Sequence, residues 1–441
     1  MHIVIIGAGQ VGSFLARNLS TEHDIVIIEK DHETAERLKE SHDALVIEGD
    51  GDNPVVLNEA GLPQADVLLA VSGDDKTNIL ASTLAASMGI RRIILRVRDH
   101  SYRRYPEILK NADVSVVNPG DIISEKISSL ISSPFAWKTE TLALGKIKLF
   151  KLKIEENAPI TGQRLADLGP AKSWIFVAVS RNGKITIPTG ETRLKEGDYV
   201  FALGVPEVLH KLKQLFGVVE ETVHTAVIMG CGRVGKGAAS ALTKEGIKVK
   251  LIDSNSEKAR QAAEELEKVR VFKGDATDSD ALKEAGVDSA DYFLALTGDD
   301  EENVLSALLA KNLGAKRTTV LYTKPDYIDL LETIGVDRAI SVRLALANEI
   351  LSLLHIGGVA HVALVEEGRA EVLEFNITNE TRLSGIPLQE AHFPEGAIIG
   401  IALRGDEVII PRGDYAPQPG DRVIVFSLPD AVKKVESILG Q

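Results

Sequence analysis

The sequence lacks the features that mark secreted and membrane-spanning proteins. It has a single cysteine, Cys231, in 441 residues, so it can form no intrachain disulfide, which fits a reducing compartment. No apolar run approaches the roughly twenty residues that a membrane-spanning helix needs. The first residues, MHIVIIGAGQ, pass directly into an apolar strand, so we expect no cleavable secretory signal.

Positive charge is also in deficit. The chain has 50 Lys and Arg residues against 64 Asp and Glu residues, which gives a formal net charge of −14. Nonspecific nucleic-acid binding and docking on anionic lipid both depend on basic surface, so we expect neither. Any association with a membrane would pass through a protein partner. No cluster of Cys and His residues has the spacing of a zinc site, so we expect no metal.

One short motif is present twice. Residues 3–12 read IVIIGAGQVG and residues 226–235 read AVIMGCGRVG, each an apolar run that leads into G-x-G-x-x-G. The first glycine allows a tight turn, the second lets a pyrophosphate approach the backbone, and the third lets the next helix pack on the strand. The start of that helix offers free N–H groups to phosphate. The glycines are Gly7, Gly9 and Gly12, and Gly230, Gly232 and Gly235.

An acid ends the second apolar strand of each half, about twenty residues after the glycine motif. Glu29 follows IVII in the first half, and Asp253 follows VKLI in the second. A carboxylate at this point can accept hydrogen bonds from both hydroxyls of an adenosine ribose and would repel a 2′-phosphate. The two acids therefore predict dinucleotide sites that prefer NAD over NADP.

The repeat continues through the chain and sets the predicted fold. Residues 48–82 match residues 273–307, and GDYVFALG matches GDRVIVFS further on. Short apolar runs alternate with amphipathic segments, which indicates β-α-β units on a parallel sheet. In the first half we expect strands at 3–6, 25–28, 44–47, 66–71 and 92–97. Later segments alternate strands and turns, with a hairpin signal at Asn182-Gly183.

The predicted fold class is α/β, with two tandem Rossmann-like parallel-sheet domains, each followed by a crossover helix and a small α+β domain. The helices carry wide apolar stripes and need partners, either by packing within one chain or by crossing over to a neighbouring lobe or subunit. The predicted boundaries are 1–119, 120–140 and 141–218 for the first half, and 223–340, 341–358 and 359–441 for the second.

Polar residues follow the third and fourth strands of each half. Asp50 and Asp275 could orient the adenine base or cap the next helix. Ser72 and Thr297 would lie over the ligand at the switch point of the sheet.

A D-D-x-x-N run follows each of these hydroxyl residues. Asp74 and Asp299 are expected to cap the next helix, and Asn78 and Asn303 to face the crevice.

The fifth strand distinguishes the two halves. In the first half, Arg96 and Arg98 lie on one side of this fifth strand and could bind phosphate. Arg98 could instead be an ordinary surface charge. The aligned residues of the second half are Leu321 and Thr323. We therefore predict weaker or different nucleotide binding in the second half.

Taken together, these motifs and the small α+β appendage resemble the regulator of potassium conductance domains. Two such units in one chain resemble the TrkA family, the peripheral nucleotide-binding subunits of Trk potassium uptake systems. The resemblance implies NAD or NADH as ligand, with ATP or ADP in relatives. It also implies a cytoplasmic homo-oligomeric ring, a tetramer, on the inner face of the membrane beneath a potassium transporter of the TrkH type.

The resemblance also assigns contacts by motif match. The first site would use Gly7, Ala8, Gly9, Gln10, Val11, Glu29, Ser72, Gly73 and Arg96. The second site would use Gly230, Cys231, Gly232, Arg233, Val234, Asp253, Asp275 and Thr297.

Two other functions stay open. A nicotinamide-dependent oxidoreductase needs an acid or base that faces the nicotinamide, but no His, Lys or Tyr recurs with the glycines in both halves. We therefore expect a sensor and not an enzyme. The sequence does not separate a potassium-uptake regulator from a regulator of another cation transporter, such as a cation–proton antiporter.

Overall fold

The computed structural model of the chain describes residues 1–20, 23–41, 44–102, 112–132, 138–169, 173–217, 222–354 and 359–440. They form two compact units, and each unit contains segments from both halves of the sequence. One unit, Met1–Lys126 with His224–Leu353, holds two parallel sheets. The other, Ile127–Val223 with Leu354–Gln441, holds two antiparallel sheets. The predicted fold class is confirmed.

The first parallel sheet follows the predicted β-α-β order. In chain order its domain contains β1 (His2–Ile6), α1 (Gln10–Leu19), β2 (Asp24–Glu29), α2 (His32–Ser41), β3 (Leu45–Glu48), α3 (Pro54–Glu59), β4 (Val67–Ala70), α4 (Asp75–Ser87), β5 (Arg92–Arg96) and β6 (Asp113–Val117). The strand order is β3-β2-β1-β4-β5-β6, and β1 pairs in parallel with both β2 and β4. The order reverses beside β1, where open α/β sheets bind ligands.

The first antiparallel sheet follows a helix. The elements are α5 (Pro119–Ser132), β7 (Lys138–Leu142), β8 (Ile147–Lys153), β9 (Trp174–Arg181), β10 (Lys184–Thr186), β11 (Tyr199–Gly204) and α6 (Leu209–Leu215), with strand order β10-β9-β11-β8-β7. Asn182 and Gly183 both have positive φ, 50° and 75°, between the paired residues Arg181 and Lys184. The predicted hairpin is therefore confirmed, because its tight turn needs positive φ at both central residues.

The second half repeats both domains. Its parallel-sheet domain contains β12 (Thr225–Met229), α7 (Arg233–Lys244), β13 (Lys248–Asp253), α8 (Ser256–Glu265), β14 (Arg270–Lys273), α9 (Ser279–Glu284), β15 (Tyr292–Ala295), α10 (Asp300–Leu313), β16 (Arg317–Tyr322), α11 (Tyr327–Thr333) and β17 (Arg338–Ser341). Then come α12 (Val342–Leu353), β18 (Val359–Val365), β19 (Ala370–Asn376), β20 (Ala397–Arg404), β21 (Glu407–Ile409), β22 (Arg422–Ser427) and α13 (Pro429–Leu439). The strand orders are β14-β13-β12-β15-β16-β17 and β18-β19-β22-β20-β21.

Two details differ from the sequence prediction. Each parallel sheet has a sixth strand, β6 and β17, beyond the five strands expected from the apolar runs. Helix α5 ends at Ser132 and strand β7 begins at Lys138, so the predicted helix span of 120–140 is too long. The last residues of the second predicted helix, 355–358, lie outside the described residues.

Among the described helices, none has the length and apolar character needed to cross a membrane.

The helices that follow the two parallel sheets pack against the opposite Rossmann-like domain. Helix α12 lies against α1, where the Arg343 guanidinium stacks 4.5 Å from the centre of the Phe14 ring. Helix α5 lies close to α7, since a Cβ on Gly237 would come within 2.4 Å of the Ser124 hydroxyl. The apolar stripes of these helices therefore take their partners partly from the other half of the chain.

The third glycine of each motif sets how closely the first helix approaches its strand. A Cβ on Gly12 would lie 1.9 Å from the Gly7 carbonyl oxygen, and one on Gly235 would lie 1.8 Å from the Gly230 oxygen. Real Cβ atoms cannot come so close to backbone oxygen, so any side chain here would push the helix away. The second glycine, Gly9, has no described atom within 4 Å of the same position.

We therefore predict that Gly12→Ala lowers the free energy of unfolding by about 1–3 kcal/mol through overpacking. The matched control, Gly9→Ala, adds the same methyl group to open space at an ordinary φ of −64° and should change stability by less than about 0.5 kcal/mol. Urea unfolding followed by circular dichroism measures both. Equal stabilities for the two variants would contradict this account of the motif.

Candidate functional site

The candidate site lies at the carboxyl edge of each parallel sheet, around the glycine loop, and we call it the cleft of that half. Gly7 and Gly230 have φ values of +91° and +105°, which side-chain-bearing residues rarely adopt. A Cβ on Gly7 would also lie 2.6 Å from the Ser72 Cα, so the β1 and β4 ends touch here. Gly9 and Gly232 are the N-caps of α1 and α7, and no described side chain caps either helix. The first-turn N–H groups therefore face the open space above these glycines.

The strand-end acids bind the glycine loops directly. The Glu29 carboxylate accepts the Ala8 N–H at 2.6 Å and the Asp31 N–H at 2.9 Å. The Asp253 carboxylate accepts the Cys231 N–H at 2.7 Å and the Asn255 N–H at 2.8 Å. Each carboxylate has about four acceptor positions, so both acids can still accept ribose hydroxyls. Both acids are half-buried at the cleft edge.

One interpretation of the sequence was that the aspartates after the third strands cap the next helix, and the structure shows that they do not. Asn53 caps α3 and Asp278 caps α9. Asp50 and Asp275 are exposed, and Asp275 accepts hydrogen bonds from the backbone N–H and the hydroxyl of Thr277. These bonds lower the pKa of Asp275, the backbone bond contributing most, so its carboxylate is ionised at neutral pH.

Ser72 and Thr297 lie where the sequence predicts, at the ends of the fourth strands, but their hydroxyl groups are engaged. The Ser72 hydroxyl donates to the Asn78 side-chain oxygen at 2.7 Å, and the Thr297 hydroxyl donates to Asn303 at 2.8 Å. Each lies beside a glycine, and Gly73 is exposed with open space around it.

The prediction that Asn78 and Asn303 face the crevice is wrong. Both side chains are fully buried and tie the ends of two strands together. The Asn78 amide group donates to the Ser72 and Arg96 carbonyl oxygens, at 3.1 and 3.0 Å, and its oxygen accepts the Ser72 N–H. Asn303 repeats this pattern with Thr297 and Leu321. The expected capping by Asp74 and Asp299 is confirmed.

Sequence reasoning missed the role of the second aspartate of each D-D pair. Asp75 accepts the backbone N–H groups of Arg98 and Asp99, at about the same distance of 3.0 Å. Asp300 does the same for Thr323 and Lys324. These carboxylates hold the loop after the fifth strand against the start of the helix that precedes that strand, α4 in the first half and α10 in the second. The signal was available, since both halves carry the pair at the same place.

Arg96 and Arg98 differ in their surroundings. Arg96 is half-buried at the end of β5, where one guanidinium nitrogen donates to the Val71 carbonyl oxygen at 3.4 Å. Burial lowers its pKa, and the positive charge of Arg98 adds to the shift while Asp75 opposes it. Arg98 is more exposed, donates to the Gly73 carbonyl oxygen and lies 3.7 Å from the Asp75 carboxylate. An anionic ligand group near Arg96 would offset the cost of burying its charge.

The second cleft has a different charge distribution. Leu321 is buried, and the Thr323 hydroxyl donates to Asp300, so neither supplies a cation. Arg233 instead begins α7 as an exposed residue. Hydrogen bonds from Ser101 lower the pKa of Asp99, and the charge of Arg233 adds to this shift, so Arg233 lies near the first half of the chain.

The remaining predicted residues line the glycine loops. Ala8 and Val11 are buried, Gln10 is the exposed first residue of α1, and Val234 is half-buried in α7. Cys231 replaces Ala8 in the second loop and is buried; burial, with help from Asp253, raises the pKa of its thiol to about 12. The thiol is therefore protonated at neutral pH and is a packing group rather than a nucleophile.

One group of possible metal ligands lies at the start of α2 and the end of β3. His32, Glu36 and Glu48 are exposed, and their ligand atoms lie within 4.8 Å of one another. Glu48 is hydrogen-bonded to His32 at 2.9 Å, and Glu36 is paired with Lys39 at 2.7 Å. These contacts account for the proximity without an ion.

Comparison with known proteins shows the same duplicated organisation. The TrkA-N domain family matches residues 3–119 and 226–342, and the TrkA-C domain family matches residues 149–217 and 372–440. Among solved structures, one titled "GsuK channel bound to NAD" aligns with a TM-score of 0.61 at 21% identity, covering 99% of this chain and 78% of that one. At this identity the similarity concerns the fold.

Full-length relatives are similar over almost the whole sequence. The Trk system potassium uptake protein TrkA homolog of Archaeoglobus fulgidus is 38% identical, over 99% of this chain and 100% of the relative. TrkA homolog 1 of Methanosarcina mazei is 36% identical, over 99% of both chains. The two copies of each domain and these relatives show that the chain belongs to the TrkA family of potassium uptake proteins.

Proposed function

We propose that the chain is a nucleotide-sensing regulatory subunit that binds NAD or NADH and gates a membrane potassium transporter of the TrkH type. The observation that supports this proposal is the pair of open sites around the glycine loops, residues 7–12 and 230–235, which we call the first and second cradles. In each, an uncapped helix start and a strand-end carboxylate lie on either side of the second glycine of the motif, Gly9 or Gly232. A Cβ built on either glycine would have no described atom within 4 Å. Free N–H groups suit a pyrophosphate, and the carboxylate suits a ribose with both hydroxyls free.

The phosphate end of the ligand distinguishes the two cradles. In the first, Arg96 brings a half-buried positive charge to the sheet edge beside the Ser72 loop. In the second, Leu321 occupies that position, and the positive charge of Arg233 lies at the start of α7 instead. The first cradle is therefore the stronger site for NAD or NADH, and the second binds more weakly or takes another adenine nucleotide such as ATP or ADP.

The surroundings of the cradles favour binding over chemistry. The hydroxyl groups of Ser72 and Thr297 are committed to buried asparagines in both halves, and the Cys231 thiol is protonated. These groups stabilise the strand ends rather than face a reacting atom. A sensor needs this arrangement, because ligand occupancy must be converted into a change of shape rather than into a product.

The relatives named above belong to Trk potassium uptake systems, which supports a membrane potassium transporter as the partner. In the proposed assembly, four copies form a ring on the inner face of the membrane and reach the membrane through that partner. Nucleotides that favour different ring shapes then open or close the transporter. A ligand can shift such an equilibrium only by the difference in its affinity for the two shapes.

Replacing Glu29 tests the ribose contact. Glu29→Gln should weaken NADH binding at the first site by about 10- to 100-fold, because hydrogen bonds to a charged group contribute about 1.5–3 kcal/mol. The preference for NADH over NADPH should fall as well, since the repulsion of a 2′-phosphate is lost. Calorimetric titration measures both affinities. The control is Glu59→Gln, which changes an exposed carboxylate at the end of α3. Unchanged NADH affinity in Glu29→Gln would remove this residue from the site.

Exchanging the fifth-strand residues tests the inequality of the sites. Arg96→Leu should weaken binding at the first site by roughly 10-fold or more, toward the affinity of the second, because a charge-assisted phosphate contact is lost. Arg98→Leu is the control, since Arg98 is exposed and already paired with Asp75. The measurement is a titration fitted to two classes of site. Two equal sites in the unaltered chain would contradict the prediction.

Gating is tested with the membrane partner present. We expect NADH and ATP or ADP to bind with affinities that differ between the free chain and its complex with a TrkH-type transporter, by about 5- to 150-fold. Potassium flux into liposomes containing that complex should depend on the nucleotide. The control is a chain carrying both Glu29→Gln and Asp253→Asn, whose flux should not respond.

Equal affinities in the free chain and the complex would end the gating proposal. A chain that binds nucleotide but associates with a cation–proton antiporter instead would keep the sensor and change its partner. Turnover of NADH with a carbonyl substrate would replace the sensor with an oxidoreductase.

A further inference from the structure

The two small antiparallel sheets pack face to face in one unit and are related by an approximate two-fold axis. Residue n of the first small domain corresponds to residue n + 223 of the second, as 149–217 corresponds to 372–440. Their buried faces form one core, where the rings of Phe201 and Phe426 lie 5.8 Å apart. Contacts come in equivalent pairs. Lys146 binds Asp406 at 2.6 Å, and its counterpart Arg369 donates to the carbonyl of Gly183, the counterpart of Asp406.

Val177 and Gly400 are equivalent positions and touch each other. A Cβ on Gly400 would lie 2.8 Å from the Val177 Cγ1 and 2.6 Å from the Leu203 Cδ1. Two equivalent residues can be in contact only beside the symmetry axis. The first sheet therefore supplies a branched side chain at the axis, and the second sheet supplies the space for it.

Buried charges differ between the halves in the same way. The Lys151 ammonium group lies 2.9 Å from the Glu366 carboxylate, and both side chains are less than 10% exposed, at 5% and 8%. The counterpart of Lys151 is Glu374, and the counterpart of Glu366 is Ala143. Glu374 accepts the Ala143 N–H at 3.0 Å and pairs with Arg422 at 3.1 Å. Equivalent buried positions thus carry opposite charge and have different partners.

Pairing two copies of the same small domain would lose these matches. Two first domains would place Lys151 against Ala143, which offers no carboxylate, and Val177 against Val177. Two second domains would place Glu374 toward Glu366, two buried carboxylates, and would leave a gap between two copies of Gly400. Burying a charge without its partner is strongly unfavourable, and both overpacking and gaps destabilise a core.

The parallel-sheet unit shows the same division. Phe14 of α1 faces Arg343 of α12, a contact between two large side chains. The counterpart of Phe14 is Gly237, which instead lies against Ser124 of α5. The contact between α1 and α12 thus joins two large side chains, whereas the contact between α7 and α5 joins two small residues.

We propose that the paired faces encode recognition between unlike halves, so that a first small domain accepts only a second small domain as its partner. The surface of each is an interaction site for the other half of this chain, in the same molecule or a second copy, and it rejects a copy of itself. Val177 and Gly400, which are equivalent, have diverged into a side chain and a space at the axis. Lys151 and Glu366, which are not equivalent, form a cation–anion pair between the two domains.

The test places like-with-like contacts inside the full-length chain, using residues from the opposite half. Gly400→Val sets two valines against each other, as two first domains would, and Val177→Gly leaves two facing glycines, as two second domains would. Each should lower the thermal unfolding midpoint by roughly 5–10 °C. The double variant should be more stable than Gly400→Val alone, because Val177→Gly removes one of the two side chains, Val177 and Leu203, that the new valine would meet.

The control combines Gly400→Val with Val200→Gly, a buried valine whose core lies away from the paired faces. Those two losses should add, since the sites do not share the axis. A second cycle tests the charges. Lys151→Glu should lower the midpoint by a similar amount, and Lys151→Glu combined with Glu366→Lys should recover a large part of the loss.

Additive losses in both the Val177/Gly400 and the Lys151/Glu366 cycles would overturn the proposal, because the pairs would then not recognise each other. Gly400→Val or Lys151→Glu chains as stable as the unaltered protein would also overturn it, because like-with-like contacts would then be tolerated. Nucleotide affinity does not enter either cycle, so the outcome is independent of the proposed function.

Discussion

The hydrogen bond from the glycine loop to the strand-end carboxylate is the contact on which each candidate site depends. Glu29 and Asp253 differ by one methylene group, yet each reaches the same backbone N–H of its loop, at 2.6 and 2.7 Å. The bond holds the turn beside the ends of two strands. The turn needs the positive φ of Gly7 and Gly230, and Gly12 and Gly235 let the helix approach a carbonyl oxygen that any side chain would hit. The uncapped helix start, and hence the anion site, follows from that approach.

A second fixed point lies beneath the cleft. Asn78 and Asn303 use their side-chain amides to join the carbonyl ends of the fourth and fifth strands, and both are fully buried. A buried amide with satisfied donors and acceptors holds a single geometry, since any shift would leave a polar group without a partner. The edge that a nucleotide would contact is therefore rigid, and differences between the two sites lie in the charges placed on it.

The duplicated halves kept some contacts and changed others, and the pattern has a physical reason. Within each small domain an arginine binds an almost fully buried aspartate, Arg181 with Asp198 and Arg404 with Asp421. These pairs serve one domain and face the same constraint in both copies. Lys151 and Glu374 face the other copy, so a change on one side can be matched on the other. The copies have thus kept the pairs that serve a single domain and changed Lys151 and Glu374, which contact the other copy.

The sequence by itself determined the β-α-β order, the duplication, the glycine turns and the strand-end acids, because these depend on local backbone geometry and on periodicity along the chain. It also identified Asp74 and Asp299 as caps, since a cap bonds only to residues near it in sequence. It misjudged Asn78, whose partner Arg96 lies 18 residues away and comes within reach only when β5 joins the sheet. It missed β6, a strand with only one fully buried residue.

The partners of Val177, Lys151 and Phe14 were decided by the tertiary structure alone. Each of these residues contacts a residue from the opposite half of the chain, more than 150 positions away. No local pattern carries that information, because the matching of a side chain with a space, or of a cation with an anion, exists only once two separately specified surfaces are brought together.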